Sequence, residues 1–489
     1  MKIWLKNGTV YDPVNGVDGE KMDIFIADGK IVDEIKPEPE EIIDATDKTV
    51  MPCGIDVHSH VATYGLNLTR FTFRFPTLAE IGYTYAKMGY THVNEPLMTL
   101  NTASYVHHEL SSIPVVDTSA FLVLSLYDID KEIREGDKES VKNVILFLLD
   151  LTKSISVKIY DAGVRYTKKG FFYRDIDEKR CLKLFYEIIK SGEGNLPKIQ
   201  LRTYPELLDE DTDVLSAFCL AHIASGIDND GRYEAAREVL KKGGAVDLGI
   251  FSPSQNEAIN MGIGYDVPAD ERGIENNFIS VDIGLEKPLI FSKVEEKKRV
   301  DEKAYYSIRF ALEAVEYLKS CCISFSTDSP NGCLFSAYPE IFAGLLSSGN
   351  RKELTNNELP DVEYSLYELA EITRTNPARQ LGLKNKGHLS IGADADVAIY
   401  DIGKNTDGKE LEKRLRCCEY LLKGGEVVIY EGKLNKGSDR AGKKTFYFEP
   451  KVKEKAYESE IIKRICNRRS FRAEHLKVDD CFIGTSEGV

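Results

Sequence analysis

The sequence predicts an α/β protein, a (β/α)8 TIM-like barrel with a small composite β-sandwich domain drawn from both chain ends. Three observations carry that expectation. Short apolar runs alternate with helix-like stretches through the middle of the chain. Strand-and-turn texture occurs near both ends. Residues with metal or acid–base chemistry fall where the apolar runs finish, which is the active face of such a barrel.

The β domain is read from Ile24-Phe-Ile-Ala-Asp28-Gly29-Lys-Ile-Val32, where an Asp-Gly turn separates two apolar segments. The same texture returns in Asp396-Val-Ala-Ile-Tyr400 and Glu426-Val-Val-Ile-Tyr430. The expected division is therefore residues 1–51 plus 386–436 for this domain and 52–385 for the barrel. Barrel strands are expected near 55–60, 91–95, 115–124, 155–160, 198–204, 219–223, 245–251 and 322–328. Helices are expected over 77–87, 139–152, 178–190 and 304–318. Residues 437–489 read as a charged extension, with a solvated helix over 451–469 as the default and a docking element for other chains as the alternative.

Composition narrows the function classes. A chain of 489 residues accommodates one large barrel and a smaller companion. Its formal charge of −15 argues against a nucleic-acid partner, because a phosphate backbone attracts a basic face. No apolar run is long enough to span a bilayer, and the first residues lack the apolar centre of a signal peptide. Ten cysteines are scattered without a Cys-x-x-Cys pair, so neither a disulfide framework nor a thiolate zinc site is expected. A reducing cytoplasm is the expected home.

The chemistry begins at Asp56-Val57-His58-Ser59-His60. Residues two apart in a strand face one side, so His58 and His60 can aim at one ion. Two surface histidines in a loop are the bland alternative. His222, in Cys219-Leu-Ala-His222-Ile, closes the sixth apolar run and suits the same pore. A hydrogen-bonded structural histidine is the competing role there. Lys158 lies in Ile155-Ser-Val-Lys158-Ile-Tyr160, whose outward positions are Ile155, Val157 and Ile159. It therefore points inward, where burial drives an amine toward neutrality. A neutral amine can take up carbon dioxide as a carbamate able to bridge two metal ions. Pairing with a barrel carboxylate is the structural alternative. Asp328 follows the eighth run and precedes the turn Ser329-Pro330-Asn331-Gly332. It can touch a metal and take a proton from a water whose pKa the metal lowers from about 16 to roughly 7. It would then pass that proton to a leaving amine. Its alternative role is to cap the following helix.

These residues, in this order, resemble the pattern of the amidohydrolase superfamily. Within it the chain resembles the family that holds the A subunits of formylmethanofuran dehydrogenase and of formyltransferase/hydrolase complexes. The resemblance lies in Met88-Gly-Tyr-Thr-His-Val-Asn-Glu-Pro-Leu-Met98, His107-His-Glu-Leu-Ser-Ser-Ile-Pro-Val-Val-Asp117, Val157-Lys-Ile-Tyr-Asp-Ala-Gly163 and Ser326-Thr-Asp-Ser-Pro-Asn-Gly332. It continues through Ile372-Thr-Arg-Thr-Asn-Pro-Ala-Arg-Gln-Leu-Gly382 and Lys386-Gly-His-Leu-Ser-Ile-Gly-Ala-Asp-Ala-Asp-Val-Ala-Ile-Tyr-Asp401. The last motif is shared across many amidohydrolases, whereas the Gly-Tyr-Thr and Thr-Asp-x-Pro-Asn-Gly stretches are more specific.

The resemblance implies a metal-dependent hydrolase of non-peptide C–N bonds that joins formate to the amine of methanofuran or hydrolyses the product. It implies partner subunits of a one-carbon complex, and zinc as cofactor, with one ion or two. Carried over by position, His58 and His60 would hold the first ion, a carboxylated Lys158 would bridge, His222 would hold the second, and Asp328 would serve as acid and base. The chain departs from the family at Gln200-Leu-Arg-Thr-Tyr-Pro-Glu-Leu207, where the family carries His-x-His-x-Asn-Asn-Leu-Gly. Arg202 stands where a histidine is expected, and a guanidinium stays protonated and is no ordinary ligand. Ser329 likewise replaces an expected histidine. A mononuclear site is one consequence, with the Arg202 charge in place of the second ion or holding a formate or substrate carboxylate as a bidentate pair. The alternatives are a catalytically impaired scaffold within such a complex and a cyclic-amide hydrolase of the dihydroorotase or hydantoinase type.

Overall fold

The computed structural model describes residues 1–36, 38–63, 66–71, 75–124, 126–160, 178–191, 198–202, 217–252, 260–263, 279–282, 288–292, 297–351, 358–403, 406, 408–435, 437, 442–450, 459–468 and 472–489. Eight short parallel strands build a barrel: Gly54–Asp56, Tyr90–Met98, Asp117–Val123, Ser156–Tyr160, Ile199–Arg202, Phe218–Leu220, Ala245–Asp247 and Ile323–Ser324. Each pairs with the next in parallel. The ring is joined at its mouth by a parallel bridge between Ser59 and Ser329, where the His60 N–H donates to the Ser329 carbonyl at 2.8 Å. Lower down, residues Glu371–Thr375 fill the seam between the first and eighth strands. There the Phe325 N–H reaches the Ile372 carbonyl, and Arg374 donates to the Pro52 carbonyl and the Tyr400 hydroxyl.

The strands form for the reason the apolar runs suggest: their side chains are buried on both faces, as a barrel wrapped by helices requires. Helices Leu78–Lys87, Lys138–Thr152, Glu178–Lys190 and Lys297–Ala314 supply outer cover. A Thr77–Glu80 capping box starts the first of them. Several strands are shorter than the apolar runs. The eighth run continues to Asp328, yet the strand is assigned only over Ile323–Ser324, with one further bond from the Ile250 N–H to the Ser326 carbonyl at 2.8 Å. Residues 203–204 of the expected fifth strand lie outside the described residues.

The companion sheet has nine strands drawn from both parts of the chain. Thr49–Pro52 runs parallel to Lys2–Asp12 on one side and antiparallel to Val397–Tyr400 on the other. Its strands enclose their own core, which includes Ile3, Leu5, Ile26, Val50, Val397 and Leu422. The Asp28-Gly29 turn has positive φ at both residues (51° and 78°), the geometry of a type I′ hairpin.

Several described residues beyond 437 pack against the barrel. Thr445–Tyr447 pairs in parallel with the third barrel strand at Thr118 and with Ser486–Gly488. It occupies the floor between the third and fourth strands, below the point where Phe121 meets Ser156. The Thr118 N–H donates to the Lys444 carbonyl and the Phe448 N–H to the Ser154 carbonyl, each at 3.0 Å. Of the helix expected over 451–469, residues 451–458 and 469 lie outside the described residues. The described part, Glu460–Arg468, buries Ile462, Ile465 and Cys466. That spacing makes one apolar face on an otherwise charged helix.

A buried ion cluster fastens the tail, the sheet and the barrel floor together. Lys386 Nζ lies 2.8 Å from Asp117, 2.7 Å from Asp396 and 3.2 Å from Asp394. Lys423 Nζ adds a second contact to Asp117 at 2.6 Å, and the Lys444 N–H donates to the same oxygen at 2.7 Å. These carboxylates supply the compensation that a buried ammonium demands.

Candidate metal centre

The first strand delivers His58 and His60 to the mouth, and the turn after the eighth strand delivers Asp328. All three are buried, and one ligand atom from each lies within 4.8 Å of the others. His58 Nε2 and His60 Nε2 each stand 3.1 Å from the same oxygen, Asp328 Oδ1. Asp328 adopts the left-handed conformation (φ 49°), uncommon for a residue other than glycine. Its other oxygen accepts from Asn331 Nδ2 at 3.0 Å.

Two carboxylates grip the histidines from behind. His60 Nδ1 lies 3.1 Å from Glu95 Oε1, and His58 Nδ1 lies 3.1 Å from Asp247 Oδ2. A carboxylate can only accept, so each Nδ1 carries hydrogen and each Nε2 faces the pore. The Gln200 amide also approaches His58 Nδ1, at 3.3 Å. Glu95 is further held by the backbone N–H groups of Val61, Ala62, Thr63 and Leu97 and by the Thr63 hydroxyl. Sequence reasoning missed both residues. The available signal was an acidic residue inside or ending a buried strand, the same signal that marked Asp328.

Lys158 points into the barrel and is 2% exposed. Its Nζ lies 3.3 Å from His58 Nε2. Burial pushes its pKa down to about 8, with Asp328 opposing the shift and Arg202 adding to it. His222 lies just past the sixth strand in a left-handed conformation (φ 34°). A Cβ on Gly249 would stand 2.3 Å from the His222 Cβ, so only glycine permits this approach. His222 Nδ1 bonds Ser225 Oγ at 2.6 Å and lies 4.0 Å from Asp328 Oδ2. Burial holds its pKa well below the ordinary value.

The remaining electrostatics follow from this clustering. Burial opposes a charge on His60, but its hydrogen bonds to Asp328 and Glu95 prevail and raise its pKa. Burial likewise works against the Asp328 carboxylate, yet His222, His58 and His60 hold it well below the usual range. Arg202 ends the fifth strand, opposite Tyr160 of the fourth. Its positive charge depresses both Lys158 and His222. Ser329 contributes main chain to the mouth bridge, and its hydroxyl accepts from the Phe335 N–H at 3.3 Å. Away from the mouth, His92 bonds Ser119 and His107 bonds the Thr152 carbonyl.

Two imidazole Nε2 atoms and a carboxylate oxygen, with both Nδ1 atoms tied to carboxylates, fit a divalent ion such as zinc. The second group, Lys158 and His222 with Arg202 nearby, is richer in positive charge than in ligands.

A parallel barrel with two histidines and an aspartate gathered at its mouth is a scaffold suited to metal-assisted chemistry. The Amidohydrolase family model matches residues 321–429. Protein FwdA of Methanocaldococcus jannaschii is 29% identical over 89% of both chains. The A subunit of the formyltransferase/hydrolase complex Fhc of Methylorubrum extorquens is 28% identical, again over 89% of both. In three dimensions the chain is similar to the crystal structure of the formyltransferase/hydrolase complex FhcABCD from the same bacterium, solved with methylofuran. That match has a TM-score of 0.80 and 22% identity, and covers 100% of this chain and 99% of the other. Over most of its length the chain is similar to FwdA and to the Fhc A subunit. Among the described residues no helix is long and apolar enough to cross a membrane.

Proposed function

We propose that this protein is a metal-dependent subunit of a multi-subunit one-carbon complex. It forms or hydrolyses the formyl C–N bond of formylmethanofuran or a related formylated amine. The observation that carries this reading is the convergence of His58 Nε2 and His60 Nε2 on Asp328 Oδ1, each at 3.1 Å, at the barrel mouth. The similarity to the A subunit of a formyltransferase/hydrolase complex, and to the FhcABCD structure solved with methylofuran, supports the substrate class.

His58, His60 and Asp328 would hold one zinc ion. Lys158, as a carbamate, and His222 are the residues to complete a second. Such an ion supplies Lewis acidity and a nucleophilic water at neutral pH. Asp328, kept ionised by its histidine neighbours, accepts the proton of the attacking water and returns it to the departing amine nitrogen. Arg202 pairs with a carboxylate, that of formate or of an acidic group on the substrate. The companion sheet from residues 1–51 and 386–436 supports the barrel and leaves the mouth to the substrate.

The test is hydrolysis of an N-formyl amine by the purified complex before and after chelation, with metal content measured on the same sample. Loss of turnover on chelation and recovery with zinc support the reading. Stoichiometric metal without turnover, on formylated amines of any kind, overturns it. A second reading, a scaffold without catalysis, is favoured by Arg202 and Ser329. It predicts substoichiometric metal and a complex whose assembly, but not its turnover, needs this chain.

A further inference from the structure

Glu95 and Asp247 lie outside every ligand motif in the sequence, yet they stand directly behind the two histidines of the mouth. Glu95 comes from the second strand and Asp247 from the end of the seventh, and both are completely buried. Asp247 uses one oxygen twice: Oδ2 lies 3.1 Å from His58 Nδ1 and accepts the His222 main-chain N–H at 3.0 Å. Its other oxygen, Oδ1, is buried without a hydrogen-bond partner among the described residues.

We propose that Glu95 and Asp247 are the positioning residues of the metal centre, each fixing one histidine with Nε2 turned to the pore. Asp247 in addition ties His58 of the first strand to the backbone of His222 beyond the sixth. The proposal rests on the reading of His58, His60 and Asp328 as metal ligands.

The physical argument has two parts. An imidazole ligates through one nitrogen, and the hydrogen bond at the other decides which nitrogen that is. A carboxylate at Nδ1 also makes the ring a stronger donor at Nε2. The second part concerns the orphaned oxygen. A buried carboxylate with one unsatisfied oxygen destabilises the empty protein. A positive ion on the far side of the imidazole offsets that cost, so Asp247 favours the loaded state over the empty one. Glu95 has a different balance, since five other donors already satisfy it. Its contribution is to hold the 60–63 backbone and the ring together.

The experiment uses the full chain in its complex and reads zinc affinity by competition with a chromophoric chelator. The cobalt(II) absorption spectrum and the zinc-induced shift in Tm accompany it. Asp247→Asn and Glu95→Gln keep size and remove charge. Each should weaken zinc binding roughly 10–100-fold and alter the cobalt(II) spectrum, with circular dichroism unchanged. Asp247→Asn should leave the metal-free Tm equal to wild type or higher, while its zinc-induced shift shrinks. A merely structural role would instead lower the metal-free Tm and spare the affinity of the folded fraction. If wild type binds zinc and Asp247→Asn binds it within about twofold, the proposal is wrong. If wild type itself binds no zinc, the metal-ligand reading fails, and that outcome is recognisable without any variant.

Discussion

Lys158 Nζ stands 3.3 Å from His58 Nε2, the same nitrogen that lies 3.1 Å from Asp328. An ammonium at Lys158 and a metal ion therefore compete for the space beside that nitrogen. Burial places the amine near pH 8, so it is an ammonium below that value and a neutral group above it. Zinc affinity should rise as pH increases through about 8, and Lys158→Met should remove that step. Zinc titrations across this range decide it, and a pH-independent wild type would contradict the assignment.

The same shift has a stability consequence in the metal-free protein. Folding lowers the Lys158 pKa from 10.5 to about 8, so between those values the unfolded chain binds more protons. Stability should rise with pH across that window, and Lys158→Met should flatten the rise. Denaturant midpoints at several pH values measure the slope.

Asp328→Asn retains a side chain that tolerates the left-handed conformation found there. Folding should survive, and the amide oxygen still presents a weak ligand. The loss is in proton transfer, so kcat should fall roughly 10²–10⁴-fold with metal still bound. Unchanged turnover would remove Asp328 from the acid–base role.

Arg202→Gln should raise KM for a substrate bearing a carboxylate by about tenfold to a hundredfold, with kcat little changed. A formylated amine without a carboxylate serves as the control and should be unaffected. Equal effects on both substrates would mean that Arg202 acts through Lys158 and His222 instead.

Lys386→Met leaves Asp117, Asp394 and Asp396 without their shared ammonium, 2.7–3.2 Å away in the native protein. Breaking one side of a buried ion cluster costs about 3–5 kcal/mol. Chemical denaturation should show that loss, while zinc affinity at the distant mouth stays as in wild type.

The parts of this molecule that were legible in the sequence are those governed by local periodicity. Apolar runs marked the barrel strands, the Asp28-Gly29 pair marked its hairpin, and strand-end polar residues marked His58, His60 and Asp328. Glu95 and Asp247 were not legible because their roles exist only across the barrel, where the chain brings distant strand ends to within hydrogen-bonding reach. Asp247, at the end of the seventh strand, meets a histidine that follows the first. The modest apolar face of Glu460–Arg468 was legible, but not what it packs against, because three buried positions among many charges do not name their partner. Strand lengths were overestimated because an apolar run does not mark where ladder pairing ends, as the eighth strand over Ile323–Ser324 shows.

The placement of Thr445–Tyr447 in the barrel floor has a consequence for synthesis on the ribosome. Thr118 and the strand that flanks it there are 327 positions apart, so the wall between the third and fourth strands stays unsealed while the intervening chain is being made. Closing so long a loop is slow. The third strand therefore keeps that edge open across those 327 positions, and Thr445–Tyr447 is the strand that covers it.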